Sequence, residues 1–291
     1  FLMKKRITKA IFPMAGLGSR FLPATKVMAK EMLTILDRPA IEWAVKEASD
    51  AGIKEMIFVI SSKKKIILEH FERSKMLENI LKKNKKLDKL DLITEQSKLG
   101  KFSFIVQDQP KGLGHAVWCA KKFINDNENF AVILPDDIIH SKIPAIKQLM
   151  NVSQRTGGGS VVALEQVPIK NVSKYGIVEV SKKKSNYFFL NNIIEKPEPS
   201  KSPSNLSVVG RYILNYKIFD FLKLQKIGYG NEIQLTDALN FLVEKPGLYG
   251  IEFNGKRFDC GEKLGFVEAN LFFGLNDNDI NKNIRKIVKS I

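Results

Sequence analysis

The run Ala10 to Ala15, broken only by Pro13, has the character of a buried strand and turns at once into Gly16-Leu17-Gly18-Ser19-Arg20. A strand that opens into glycines constrains the next segment of chain, because backbone N–H groups in such a loop come close enough to hold an oxyanion. Arg20, Lys26 and Lys30 add positive charge behind the glycines. The loop satisfies neither of two common phosphate-binding patterns: Phe21 stands where a dinucleotide fingerprint has its third glycine, and no Gly-Lys-Ser/Thr closes it as in a P-loop. A plain tight turn would use the same glycines, so the cations decide between the two readings.

The rest of the chain alternates in a way that fits such a start. Pro39 to Ala51 has a helical stripe of Ile41, Ala44, Val45 and Ala48 with Gly52 to end it, and Met56 to Ile60 is a strand. A helix around Ile66 to Phe71 and a lysine-rich helical stretch come next, with 75–101 reading as a solvated insertion. Phe102 to Val106 and Phe130 to Leu134 are further buried strands. This alternation predicts an α/β fold with a Rossmann-like, doubly wound sheet whose ligands gather at the carboxyl ends of the strands. From about Gly157 the strands are short and the turns rich in Pro, Ser and Asn, which predicts a smaller mixed β subregion. Glu232 to Glu244 and Leu264 to Leu275 are predicted helices. The second of them is apolar around much of its circumference and is expected to be buried, in the fold or in a homo-oligomer contact. Residues 3–275 then form one domain, a nucleotide-binding half to about 156 and a sugar-phosphate-binding half from about 157, with 276–291 as a polar tail.

The formal net charge is +16, which admits nucleic acid, an anionic surface or a solvated lysine-rich face. The lysines fall in clusters, at Lys63 to Lys65, Lys82 to Lys89 and Lys182 to Lys184, without interleaved aromatics, so nucleic acid is not the expected partner. Cys119 and Cys260 form no Cys-x-x-Cys pair, which points to a reduced, cytoplasmic setting. No stretch reads as a signal peptide or a membrane span.

Asp136 and Asp137 follow a buried strand, where a carboxylate can hold Mg²⁺ against phosphate oxygens, although Asp-Asp is also an ordinary helix cap or Asx-turn. Asp259 follows a second short β-like stretch, and Asp136 with Asp259 is the candidate metal pair. Gln107 offers a donor and an acceptor in one plane, suited to a pyrimidine edge, and Gly112 can add backbone contacts. A polar strand end and a glycine-rich helix entry would look the same. His70, His115 and His140 lack ligand spacing, so no zinc site is expected.

These pieces, in order, resemble the sugar-nucleotide pyrophosphorylases, in particular the bacterial branch that uses UTP and glucose 1-phosphate. The resemblance runs from about Lys9 to Gly274. It rests on Ala15-Gly16-Leu17-Gly18-Ser19-Arg20 through Lys26, Lys30-Glu31-Met32, Lys111-Gly112-Leu113-Gly114-His115-Ala116 and Ile133-Leu134-Pro135-Asp136-Asp137. Further on it takes in Lys174-Tyr175-Gly176, Glu195-Lys196-Pro197, Val209-Gly210-Arg211-Tyr212, Glu232-Ile233-Gln234-Leu235-Thr236-Asp237 and Asp259-Cys260-Gly261.

The resemblance implies a nucleotide-diphospho-sugar transferase fold. It implies that Ala15, Gly16, Gln107 and Gly112 hold the uridine, with Gly18 and Lys26 in the same loop, and that Arg20 and Lys30 meet the triphosphate as the catalytic cations. It further implies that Gly176, Glu195, Lys196 and Gly210 receive the sugar phosphate, that Mg²⁺ sits on Asp136 and Asp259, and that the chain is a dimer or tetramer. A sugar phosphate oxygen is already an anion able to attack phosphorus, so alignment and charge neutralisation suffice and no general base is needed. In one respect the chain departs from the family: Met28-Ala29 precede Lys30 where the family has proline. A thymidylyl transferase, another sugar, or a non-catalytic regulatory paralogue would share much of this pattern, since a single methyl on the base is worth only about 1–3 kcal/mol in a pocket.

Overall fold

Short apolar runs rich in Ile, Val and Phe, each flanked by polar or glycine-containing turns, form the central strands of a computed structural model that describes residues 6–243 and 247–290. Strand β1 (Lys9–Pro13) leads through the glycine loop to the small hairpin β2 (Thr34–Ile35) and β3 (Arg38–Pro39) and then to helix α1 (Ala40–Asp50). After β4 (Glu55–Ile60) come α2 (Ile66–Phe71), α3 (Lys75–Lys83) and α4 (Leu87–Glu95). In α3 and α4 no apolar side chain is buried, so the expected solvated insertion is two surface helices. The chain continues through β5 (Lys101–Val106), α5 (Leu113–Cys119), β6 (Asn129–Ile133), β7 (Asp137–His140) and α6 (Ala145–Arg155). Its second half contains β8 (Ser160–Gln166), β9 (Gly176–Lys184), β10 (Tyr187–Glu195) and β11 (Leu206–Asn215). Then come α7 (Ile218–Leu222), α8 (Leu235–Phe241), β12 (Leu248–Glu252), β13 (Lys256–Asp259), α9 (Lys263–Asn276) and α10 (Asn281–Ser290).

Among the described residues nine strands make one sheet in the order β5-β4-β1-β6-β11-β8-β12-β10-β9. The first four run parallel, as the alternating pattern predicts. Beyond β6 the sheet becomes mixed, β11 running antiparallel to both β6 and β8. Alternate residues of β1 face opposite cores. Ala10 and Phe12 join α1 and α6 on one face, and Ile11 joins α5, α7 and α8 on the other. Both faces are therefore covered, and the cleft opens along the carboxyl ends of the parallel strands.

A second, two-stranded sheet pairs β7 with β13 and sets Asp137 directly opposite Asp259. Its apolar face, Ile138 and Phe258, packs with Ile35, Ala40, Cys260 and Ala269. Neither β7 nor β12 was expected from the sequence.

The expected helix at Glu232 begins only at Leu235, and its far end, Glu244, lies outside the described residues. Residues 232–234 stay extended because the Ile233 N–H donates to Lys111 O at 2.8 Å and Ile233 O accepts from Gly114 N–H at 2.9 Å. The expectation that α9 would be buried is also corrected. Only Ala269 and Gly274 are buried, while Leu264 and Val267 are 72% and 52% exposed, because the helix packs one side against the apolar face of the small β7–β13 sheet and is not enclosed between layers. Residues 281–290 form α10, whose Ile284 approaches α9 at Gly274. Among the described residues no helix is long and apolar enough to cross a membrane.

Candidate active site

The turn after β6 and the last residue of β13 bring Asp136, Asp137 and Asp259 together from segments more than a hundred residues apart. Lys30, which opens a single 3-10 turn, reaches across to donate to Asp136 Oδ2 at 2.6 Å. Burial works against both charges, and each partner offsets it: the Lys30 ammonium is held above the ordinary lysine range and the Asp136 carboxyl below the ordinary carboxylate range. Asp137 behaves differently. Burial, aided by the neighbouring Asp136 and Asp259, raises its carboxyl even though Arg257 donates to it at 2.6 Å.

Two adjoining cavities flank Asp136. One, of about 260 Å³, is lined by Ala15, Gly16, Lys30, Gln107, Gly112 and Glu232 among others. All four residues expected at the base are thus brought to one cavity. Gln107 is buried, and its side-chain amide donates to His115 Nδ1 at 2.7 Å and to Gly112 O at 3.4 Å. Burial and the nearby Lys111 charge lower the His115 pKa, which keeps that ring nitrogen available as an acceptor. Gly112 has φ +104°, and a Cβ there would lie 2.8 Å from Ile233 O. Gly112→Ala is therefore expected to cost about 1–3 kcal/mol, read as a lower unfolding midpoint by circular dichroism. An unchanged midpoint would contradict the clash.

The other cavity, of about 200 Å³, is lined by Gly176, Glu195, Gly210, Tyr175, Thr236, Arg257 and Asp259, and it shares Leu113, Leu134 and Asp136 with the first. A Cβ on Gly210 would lie 2.2 Å from Asp137 Oδ2, so this position admits only hydrogen. Thr236 Oγ1 donates to Glu195 Oε2 at 2.6 Å and fixes that carboxylate at the cavity wall. Lys196 does not line the cavity: its Nζ lies 3.8 Å from Glu195 and over the Tyr229 ring, 5.2 Å from the centroid.

Arg20 and Lys26 are exposed on the loop, and Arg20 pairs with Glu262 at 3.5 Å. Gly18 takes φ +68°, which turns the loop close against the Lys30 side chain. Around Gly261 three groups converge. A Cβ there would sit 3.1 Å from Asp136 Oδ2, 3.1 Å from Asp259 Oδ1 and 3.6 Å from Arg20 Nη1. Among the described residues no three His, Cys, Asp or Glu side chains form a ready metal cage. Two carboxylates facing one point fit a hard divalent cation that draws its other ligands from phosphate oxygens and water.

Three charged residues that matter here escape a reading of the sequence. Arg257 donates to Asp137, Glu165 and Asp259 at 2.6, 2.8 and 3.3 Å. Its signal was present, since Arg257 and Asp259 are two apart on a strand and share a face. Arg211 is fully buried and Lys64 is 8% exposed, although Lys64 belongs to a lysine run with the look of a solvated surface.

The nucleotidyl transferase family profile matches residues 9–274. The chain is similar to the UTP–glucose-1-phosphate uridylyltransferase of Staphylococcus epidermidis, 45% identical over 287 residues covering 99% of each chain. Among solved structures, a UDP-glucose pyrophosphorylase complexed with UDP-glucose superposes with a TM-score of 0.83 at 38% identity, over 94% of this chain and 100% of the other. A UTP-bound UGPase from Acinetobacter baumannii gives a TM-score of 0.87 at 38% identity, over 98% and 100%.

Proposed function

This chain belongs to the nucleotidyl transferase family, and on that premise we propose that it joins UTP to glucose 1-phosphate, forming UDP-glucose and releasing pyrophosphate. The observation that carries the reading is the position of Asp136, bonded by Lys30, at the junction of two cavities that share its wall. A nucleotide in one cavity and a sugar phosphate in the other would meet there.

In this reaction a phosphate oxygen of glucose 1-phosphate attacks the α-phosphorus of UTP. The bond from that phosphorus to the β-phosphate oxygen breaks, pyrophosphate leaves with the bonding electrons, and a single displacement inverts the phosphorus. Gln107 and Gly112, with Ala15 and Gly16, are the residues we assign to the uracil and ribose. Lys30 leaves Asp136 for the α-phosphate as the nucleotide arrives, and Arg20, with Gly18 and Lys26 in its loop, meets the outer phosphates. Glu195, with Gly176 and Gly210, accepts sugar hydroxyls, and Lys196 swings from Tyr229 to the sugar phosphate.

A divalent cation, Mg²⁺ in this proposal, would be held by Asp136 and Asp259 and would neutralise charge on the α-phosphate and the leaving pyrophosphate. Asp136→Asn is expected to shift the magnesium dependence of turnover upward by at least about tenfold, the scale on which even outer partners of a metal affect its affinity. An unchanged magnesium titration would remove Asp136 from the metal. The proposal extends to a cytoplasmic homo-oligomer, for which the exposed Leu264, Val267 and Leu271 of α9 offer an apolar surface.

The test of the reaction is pyrophosphate release with UTP and glucose 1-phosphate, run beside dTTP and galactose 1-phosphate at fixed salt. Release selective for UTP and glucose 1-phosphate is expected. UTP binding without release under any pairing would make the chain a regulatory paralogue.

A further inference from the structure

Lys64 stands in the loop after β4, between exposed Lys63 and Lys65, yet its side chain runs inward. Its Nζ donates to Met14 O at 2.7 Å, to Gly16 O at 2.8 Å and to the two Glu31 oxygens at 3.0 and 2.8 Å. An ammonium has three protons, so these acceptors use all of its donor capacity. Glu31 is 2% exposed and adjoins Lys30 in the chain. One buried cation therefore ties together both sides of Ala15 and the residue next to Lys30.

Peptide geometry sets the backbone consequence. In a planar trans peptide the N–H points opposite to the C=O. With Met14 O and Gly16 O drawn toward Lys64, the N–H groups of Ala15 and Leu17 are turned the other way, outward from the buried cation. Ala15 and Gly16 line the nucleotide-side cavity. Stability alone does not call for this arrangement, because a buried ion pair can often be exchanged for neutral groups of similar size without loss.

We propose that Lys64 is a positioning residue for the nucleotide: by holding the Met14 and Gly16 carbonyls inward it aims the Ala15 and Leu17 N–H groups at the bound nucleotide, and by neutralising Glu31 it leaves Lys30 for Asp136 and the substrate. The inference rests on the reading of this loop as the nucleotide site. It separates two jobs of one side chain. Without Lys64, a charged Glu31 would compete with Asp136 for Lys30, and the loop carbonyls would lose their donor.

The double variant Lys64→Met/Glu31→Gln tests it, since it removes the donor and leaves no uncompensated buried carboxylate. The double variant is expected to fold with a modestly lowered thermal midpoint, because Met14 O and Gly16 O lose their donor, while KM for UTP rises about tenfold or more. KM for glucose 1-phosphate is expected to change by less than about twofold, because that subsite shares no bond with Lys64. A double variant that folds and keeps wild-type KM for UTP, whatever its midpoint, would overturn the proposal and leave the pair a packing feature. Should the double variant fail to fold, Lys64→Arg decides: its planar fork cannot serve the same cluster of acceptors as a point cation, so a raised KM for UTP supports the role and an unchanged one overturns it. Wild-type protein that does not bind UTP in the same assay would sink the underlying reading of the site instead.

Discussion

Turnover of Lys30→Ala is expected to fall by about 10²–10³-fold, the scale for losing one preorganised group at developing charge. Lys30 is the only cation among the described residues that both lines the nucleotide-side cavity and bonds Asp136. Its 3-10 turn holds the backbone, and Gly18 packs against its side chain, so the ammonium is placed before the substrate arrives. Loss of Lys30 also removes the main charge that holds the Asp136 carboxyl below the ordinary carboxylate range, which weakens the same junction twice. Steady-state kinetics of pyrophosphate release check this. Near wild-type kcat in the variant would exclude Lys30 from the reaction.

Arg211→Met is expected to destabilise the fold by about 3–5 kcal/mol, the cost of removing one partner of a buried pair. The guanidinium has no solvent exposure and bonds Glu47 at 2.9 Å, Leu134 O at 2.9 Å, Gly210 O at 3.2 Å and Asp137 O at 2.6 Å. Once it is removed, Glu47 keeps the Ile146 N–H at 2.9 Å but has lost its counter-charge inside the protein. Leu134 O and Asp137 O bracket Asp136, so activity in the surviving folded fraction should also fall. Denaturant unfolding reads the first effect, and a loss under about 1 kcal/mol would mean the cluster is satisfied some other way.

These two residues differ in how far the sequence announces them. Lys30 lies behind a glycine loop in a pattern that already suggests phosphate. Arg211 lies in the apolar stretch Val208 to Leu214, where a charge looks misplaced, and its partner Glu47 is on α1. Nothing local joins them. The inner parallel strands β1, β4 and β6 were legible because they are covered on both faces and so are apolar past their first residue, whereas β5, expected to be buried, lies at the sheet edge with none of its residues buried. The pairing of β7 with β13 was not, although a short β-like stretch before Asp259 was read, because the four-residue strands carry Asp137, His140, Lys256, Arg257 and Asp259 and meet from segments more than a hundred residues apart. Periodicity misled at two places. Residues 232–234 spend their backbone bonds on the 111–114 loop, and α9 is apolar all round without being enclosed. Lys64 was hidden by its neighbours, since a run of three lysines does not reveal which one turns inward.

The measurement closest to the central claim tracks one atom. UTP labelled at the α-phosphorus is incubated with glucose 1-phosphate, magnesium and the protein, and the products are separated. Label recovered in UDP-glucose, with unlabelled pyrophosphate formed in equal amount, is the predicted result. Label that stays in UTP or appears as free UMP while glucose 1-phosphate is unchanged would contradict uridylyl transfer at this site.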